Sequence, residues 1–447
     1  MHQSEWVPQV IFGWNALWVA TLIMVATYGI IMAERLNRAI AALVGAALMV
    51  MLGVLNQEAA FRGIDFNTIA LLTGMMIIVN ITRKCGVFQY IAVVSAKWVK
   101  ASPWGILLML SWVTAVASAL LDNVTTVLLI VPVTLAICKE LEVAPYPFLF
   151  AEVFASNIGG TATLIGDPPN ILIGSQVGLS FNDFVIHLTP VILVVMVVQA
   201  AMTHFVWGRK MSATPEARSR VMAFRERDAI TDVLLLKQSM FVLAVVIVAF
   251  VAARALHLEP GTIAMSGAAL LLLLDNYAHP AEHQSERVTQ ALSEVEWITI
   301  FFFMGLFIVV TGVEVSGLLK IIANWLVQAT GGDMELTAYV VLWASAILSA
   351  IIDNIPFVAT MIPLIKAMAP TFGGPDALLP LWWALSLGAC LGGNGTLIGA
   401  SANLTVAGLA ERNGISFRFW TYTKHAFPMM LVSVAISHVY LWLRYVG

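Results

Sequence analysis

Asn157-Ile-Gly-Gly-Thr-Ala-Thr-Leu-Ile-Gly-Asp167-Pro-Pro-Asn170 interrupts an apolar stretch, and a close copy, Gly392-Gly-Asn-Gly-Thr-Leu-Ile-Gly-Ala400-Ser-Ala-Asn403, follows in the second half of the chain. Seven of the twelve positions Gly159–Asn170 are identical in the copy, with Gly159 matched to Gly392. Upstream of each copy, Ser118-Ala-Leu-Leu-Asp122-Asn123 recurs as Ser349-Ala-Ile-Ile-Asp353-Asn354, and in the same register Gly74 matches Gly305, Gly86 matches Gly317 and Pro132 matches Pro363. Chance gives Leu and Ala matches. It does not give two Asp-Asn and two Gly-Gly…Thr-Leu-Ile-Gly…Asn blocks in one order, so the chain is an internal duplication.

The surroundings of these blocks decide the class. Of 447 residues, 60% are hydrophobic and 11% charged, against about 25% charged in an average soluble domain. So few charges cannot coat three soluble domains, and a polytopic helical membrane protein remains. Runs free of Asp, Glu, Lys and Arg mark plain spans: Val7–Met32, Ala39–Gln57, Phe66–Thr82, Phe184–Trp207, Gln238–Ala253, Pro260–Leu274, Trp297–Val313 and His425–Leu443. Met1–Val10 has no Lys or Arg, so the first run is expected to be kept as a span, not cleaved as a leader. Ala101–Cys138, Pro147–Gln176, Leu336–Ile365 and Ala377–Ala410 are apolar but broken by Asp-Asn, Gly-Gly or Pro. Unpaired backbone is costly in lipid, so these breaks belong inside the protein or beside a wet cavity.

An odd number of crossings separates equivalent points. The expected fold is therefore all-α, with two inverted-topology repeats, each holding a re-entrant helical hairpin and an unwound transmembrane helix. The expected organisation is an N-terminal helix (1–36), a first repeat (37–208), a cytoplasmic linker (209–235), a connecting helix (236–258) and a second repeat (259–447). Arg209–Asp232 carries six Lys/Arg and by the positive-inside rule faces the cytoplasm, which puts the N-terminus outside. Inverted repeats with paired broken segments point to a secondary transporter with its site near the midplane.

Carboxylates at mid-bilayer are expensive and thereby informative. Asp122, Asn123 and Thr125 crowd the expected first hairpin tip, and Asp353 and Asn354 the second. The helix leaving each tip points its positive end at the turn. In the first unwound loop the candidates are Asn157, Gly160, Thr161, Thr163, Asp167 and Asn170, with carbonyls of Gly159–Ile165 expected to be exposed because Pro168 and Pro169 forbid helix before them. In the second they are Asn394, Thr396, Ser401 and Asn403. Ala400 stands where the first loop has Asp167, which singles out Asp167 for a titrating or cation-binding role. Glu152, Glu314, His187, His204 and His425 are weaker candidates, better read as structural.

Several classes are excluded. A net charge of −3 argues against nucleic acid. Cys85, Cys138 and Cys390 are too far apart for a disulfide framework or a zinc site. No phosphate-binding loop, catalytic triad or cofactor motif occurs, so an enzyme is not expected.

Asp122-Asn-Val-Thr-Thr-Val, with Ala151-Glu-Val and Asn157 through Gly-Asp-Pro-Pro-Asn170-Ile, closely resembles the ion transporter superfamily, nearest to its branch of ArsB-type arsenite carriers, NhaD-type sodium/proton antiporters and the P-protein type. The resemblance covers nearly the whole chain. It implies a scaffold and a transport domain, the latter holding both hairpins and both unwound loops, and it carries over the tip and loop residues named above. Dicarboxylate symporters of the wider superfamily have Ser-Asn-Thr at the tips; Asp122 and Asp353 replace that Ser, which speaks against a di- or tricarboxylate. The resulting expectation is an inner-membrane efflux carrier exchanging arsenite or antimonite for protons, with a sodium/proton antiporter as the alternative. Its partners are the bilayer and the solute, with room for an ATPase partner or a homodimer.

Overall fold

The computed structural model describes residues 6–33, 35–277 and 279–446, and among them every regular element is helical. Among the described residues, eight helices are long and apolar enough to cross a membrane. The first half runs through α1 (Ala16–Met32), α2 (Arg38–Met51), α3 (Phe66–Arg83), α4 (Val87–Trp98), α5 (Pro103–Leu120), α6 (Asn123–Leu141), α7 (Tyr146–Thr161), α8 (Pro168–Val177) and α9 (Phe181–Val206). The second half repeats the series as α10 (Val233–Val251), α11 (Pro260–Asn276), α12 (Trp297–Val315), α13 (Leu318–Ala329), α14 (Met334–Ser349), α15 (Asn354–Lys366), α16 (Leu379–Gly392), α17 (Ser401–Arg412) and α18 (Phe419–Leu441).

The two halves exchange helices. α2 packs on α12, and its counterpart α11 packs on α3. The matched glycines make both crossings possible. A Cβ on Gly74 would lie 2.6 Å from the carbonyl carbon of Ala264, and one on Gly305 would lie 2.6 Å from that of Ala42. Small residues let membrane helices approach backbone to backbone. α1 lies on α2 and α12 just as α10 lies on α11 and α3, so the correspondence reaches two helices further out than the sequence matches do.

The remaining helices form a second body. α5 packs along α7 and α14 along α16. α6 packs on α17 and α15 on α8, so each hairpin rests on the broken segment of the other half. α7 is buried from Pro147 to Thr161 and α16 from Leu381 to Gly392, as befits helices apolar on all sides.

Some boundaries differ from the sequence reading. The run Ala39–Gln57 stops being helical at Met51, turns at Gly53 (φ +80°) and is followed by a short helix, Gln57–Arg62. The twelve-residue helices α4 and α13, too short for a span, were not expected. Gly86 and Gly317 explain the match between them: both start their helix in the left-handed region, at φ +78° and +87°, where a side chain is disfavoured.

The linker is strapped to the base of the first hairpin. Arg218 donates to the Lys100 carbonyl at 2.8 Å, Arg220 to Glu142 at 2.5 Å, and Lys97 to Glu226 at 2.6 Å. The hydrogen bond from Lys97 holds the Glu226 carboxyl below its ordinary range. Both arginines thus have partners within the chain.

Candidate functional site

α5 stops at Leu120, Leu121 is extended, and Asp122 caps α6 by accepting the Thr125 amide at 2.8 Å and its hydroxyl at 2.5 Å. An Asp N-cap meets both the orphan amides and the positive end of the helix. Asp353 does the same at α15, accepting from the Ile355 amide at 3.0 Å.

The chain is unwound between Thr161 and Pro168. Its carbonyls, however, are largely engaged, contrary to the expectation of an exposed row. Asn170 donates to the carbonyls of Thr161 (3.0 Å) and Thr163 (2.9 Å), and Thr189 donates to that of Ala162 (3.1 Å). Asn403 holds the second loop in the same way, through Gly393 (2.8 Å) and Thr396 (2.9 Å). The Thr163 hydroxyl bonds the Ala119 carbonyl and the Thr396 hydroxyl that of Ala350, tying each loop to its hairpin. Gly160 lies so close to the loop that a Cβ would come within 2.5 Å of the Gly166 carbonyl. Replacing Asn170 or Asn403 by Ala frees two buried carbonyls; each change is expected to cost about 2–4 kcal/mol, read as a lowered melting temperature in detergent. An unchanged melting point would contradict this role.

An amide network joins the halves. Asn123 donates to Asn157 at 3.0 Å, and Asn157 donates to both Asn394 and Asn403 at 2.9 Å. Thr161 bonds the Asn157 carbonyl at 2.7 Å. All of these side chains are buried.

The two tips and the first loop meet at one cavity. Asp122, Asn123, Asp167, Asn354 and Ser401 line it, together with Arg38, Leu72, Met76, Glu296 and Thr299. Its free space is about 20 Å³ for the centre of a water-sized sphere, room for about one water. Asp167 occupies the N-cap position of α8 without a side-chain cap: Pro168 and Pro169 carry no N–H, and the Asn170 amide goes to the Asp167 backbone carbonyl at 3.0 Å. It is 1% exposed; Asn354 donates to Oδ1 at 3.4 Å, and Oδ2 has no partner. A carboxyl so placed demands a proton, a cation or a donor. Ala400 takes the equivalent backbone conformation at α17, without the carboxyl.

Of the fifteen sequence candidates, Asp122, Asn123, Asp167, Asn354 and Ser401 line the cavity and Asp353 adjoins it through Arg38. Thr125 is bonded to Asp122, while Asn157, Gly160, Thr161, Thr163, Asn170, Asn394, Thr396 and Asn403 frame the loops and the network behind it. Arg38 is not among those candidates. It donates to Asp353 at 3.3 Å, to Ser401 at 2.7 Å and to Thr299 at 3.1 Å, with its guanidinium 5.2 Å from the Phe302 ring centre. Thr299 donates in turn to Glu296 at 3.1 Å. The equivalence of Ala42 with Ala264 sets Pro260 opposite Arg38. The asymmetry that singled out Asp167 also singles out Arg38, once α2 and α11 are aligned.

The weaker candidates lie elsewhere. Glu152 is buried beside Thr134, which donates to it at 2.5 Å. The rings of His187, His204 and His425 pack against Trp383, Trp104 and Trp207. Glu314 lines an open pocket of about 1040 Å³ with Asp65 and Thr311, at the far end of α12 from Glu296.

The sequence profile of the citrate transporter family, CitMHS, matches residues 28–388. The chain belongs to that family. Among its similar members, an uncharacterised transporter of Mycobacterium tuberculosis is 46% identical over 433 residues, covering 96% of this chain and 98% of the relative. The human P protein is 34% identical over 511 residues, covering 96% of this chain and 60% of P protein. Two solved structures share the fold: the YdaH transporter of Alcanivorax borkumensis (TM-score 0.57, 13% identity, 96% of this chain and 98% of that one) and MtrF of Neisseria gonorrhoeae (0.57, 9%, 98% and 97%), described as one of a class of antimetabolite efflux pumps. This citrate-family member is a multi-pass membrane transporter.

Proposed function

We propose that the transporter carries arsenite or antimonite out of the cell in exchange for protons, by alternating access. The observation that carries this reading is the lining of the cavity: carboxyls from both halves, asparagine amides and hydroxyls, with Arg38 as the one cation among the lining residues. Arsenite near neutral pH is a small uncharged trihydroxide, and such a lining can accept from and donate to its hydroxyls. A citrate trianion would meet Asp122, Asp167 and Glu296 against a single guanidinium, and like charges repel strongly where water is excluded. Cys85, Cys138 and Cys390 are buried and separate, so the reading uses oxygen and amide contacts in place of thiolates.

In this reading Asp122, Asp167 and Asp353 carry the proton or contact the solute. Asn123, Asn354 and Ser401 orient it, and the loop residues keep the frame. The repeats span 37–208 and 259–447, each preceded by a peripheral helix, and the N-terminus lies outside an inner membrane. Exchange of a neutral solute for a proton moves one charge, so the membrane potential contributes about 2.3 kcal/mol per 100 mV.

Everted vesicles acidified inside are expected to take up arsenite, and collapsing the pH gradient is expected to stop it. No uptake with folded protein present would contradict the proposal. The unpartnered Oδ2 of Asp167 favours one second reading, sodium/proton antiport, since sodium takes hard oxygen ligands. Adding sodium or arsenite separately to the vesicles distinguishes the two by which one dissipates the gradient.

A further inference from the structure

We propose that Arg38 is a lock that holds the unloaded carrier still and is released only when Asp353 takes up a proton or cation. Arg38 is the first residue of α2, which packs on α1 and α12 in the body made of the exchanged helices. Asp353 and Ser401 begin α15 and α17, which belong to the body of hairpins and broken segments. The guanidinium therefore ties one body to the other. The tie is well built: one Nη donates to Asp353 at 3.3 Å and Ser401 at 2.7 Å, and the other to Thr299 at 3.1 Å. The Ser401 hydroxyl donates onward to the same Asp353 oxygen at 3.3 Å. The pair is largely sheltered, with side chains 28% and 16% exposed, where charge-assisted hydrogen bonds are strongest.

An arginine does not lose its proton in a protein, so the tie can be released only from the carboxyl side. With Asp353 ionised, moving one body past the other would leave a bare guanidinium and a bare carboxylate, and breaking a sheltered pair in this way is heavily penalised. With Asp353 neutralised, the guanidinium keeps only its hydroxyl acceptors and Glu296 behind Thr299, and the bodies can part. The other carboxyls facing this space, Asp122 and Asp167, lie across the cavity and make no ion pair with Arg38. The second half has Pro260 in the corresponding place, so the lock acts in only one of the two end states. It closes the route by which protons could leak: out on Asp353, then back with the carrier empty.

The inference rests on the exchange proposed above only in that Asp353 binds a proton; it does not depend on arsenite. The test uses full-length protein in liposomes with a pH-sensitive dye trapped inside, an imposed pH gradient, a potassium–valinomycin clamp, and neither arsenite nor sodium. Wild-type liposomes are expected to keep the gradient as well as protein-free ones. Arg38→Gln is expected to dissipate it about tenfold faster, because the loss of a charge-assisted pair frees the empty carrier. Arg38→Lys should leak less than Arg38→Gln, and adding both Asp353→Asn and Asp167→Asn to Arg38→Gln should restore the seal, because neither the carboxyl that releases the lock nor the one at which exchange is coupled can then carry a proton. Arg38→Gln as tight as wild type, or a leak that persists when Asp353→Asn and Asp167→Asn are both added, overturns the proposal. Ser401→Ala keeps both charges and is expected to leak to an intermediate degree; if Arg38→Gln does not fold, a tight Ser401→Ala overturns it. A failed arsenite uptake beside a leaking Arg38→Gln removes the substrate assignment alone.

Discussion

Asp167→Asn is expected to abolish coupled exchange while leaving the transporter folded. The carboxyl is 1% exposed with one oxygen unpartnered and the other bonded only to Asn354. Nothing in the packing needs its charge, so an amide of the same shape fits without cost to the fold. Exchange depends on a group that can gain and lose a proton or cation at the cavity, and the amide cannot. Proteoliposome uptake is expected to fall by about 100-fold or more, since an ionisable side chain held inside the membrane is there for function, while the melting temperature stays level or rises slightly. Exchange at the wild-type rate in Asp167→Asn would place the coupling elsewhere.

Gly74→Val and Gly305→Val are expected to destabilise the protein severely and to a similar extent. At each site the added Cβ would stand 2.6 Å from a carbonyl carbon and 2.8 Å from its oxygen, on Ala264 in one case and Ala42 in the other. These atoms are helix backbone and cannot rotate away, so α11 or α2 must shift along its whole length. Overpacking of this kind costs about 3 kcal/mol or more, read as loss of monodisperse protein or a lower melting temperature in detergent. A large effect at one glycine and none at the other would break the equivalence of the two crossings.

The parts of the fold legible in the sequence are those marked by residues that lipid tolerates poorly. Asp122-Asn123 and Asp353-Asn354 stand out in apolar surroundings, and both prove to be hairpin turns. Gly-Gly and Pro-Pro mark the unwound loop, because they remove side chains or donors that a helix needs. Lipid-facing helices leave no such trace. α1 and α10 occupy corresponding places, yet their sequences share no aligned motif, because any large apolar residue serves against hydrocarbon. α4 and α13 escaped notice because twelve residues do not make a span.

The site was legible at its carboxyls and less so at their partners. Asp122 and Asp167 reach the cavity as the repeat arithmetic suggests. The exposed carbonyls did not materialise, because Asn170 sits just far enough along the chain to fold back over Thr161 and Thr163. Seven to nine residues of separation is a spacing no motif reports. Arg38 was hidden for a different reason: a basic residue at the end of a span has an ordinary explanation as a marker of the cytoplasmic side. Only its contacts with Asp353, Ser401 and Thr299, far away in sequence, reveal another.

The central claim is that the tips of two oppositely inserted halves face one shared cavity. Asn123→Cys with Asn354→Cys, in a background where Cys85, Cys138 and Cys390 are replaced, tests it most directly. The shortest bis-methanethiosulfonate reagent is expected to bridge the pair within one molecule, and prior addition of the transported solute should slow the reaction. Two cysteines that each react singly with a methanethiosulfonate but are never bridged would place the tips apart and contradict the account.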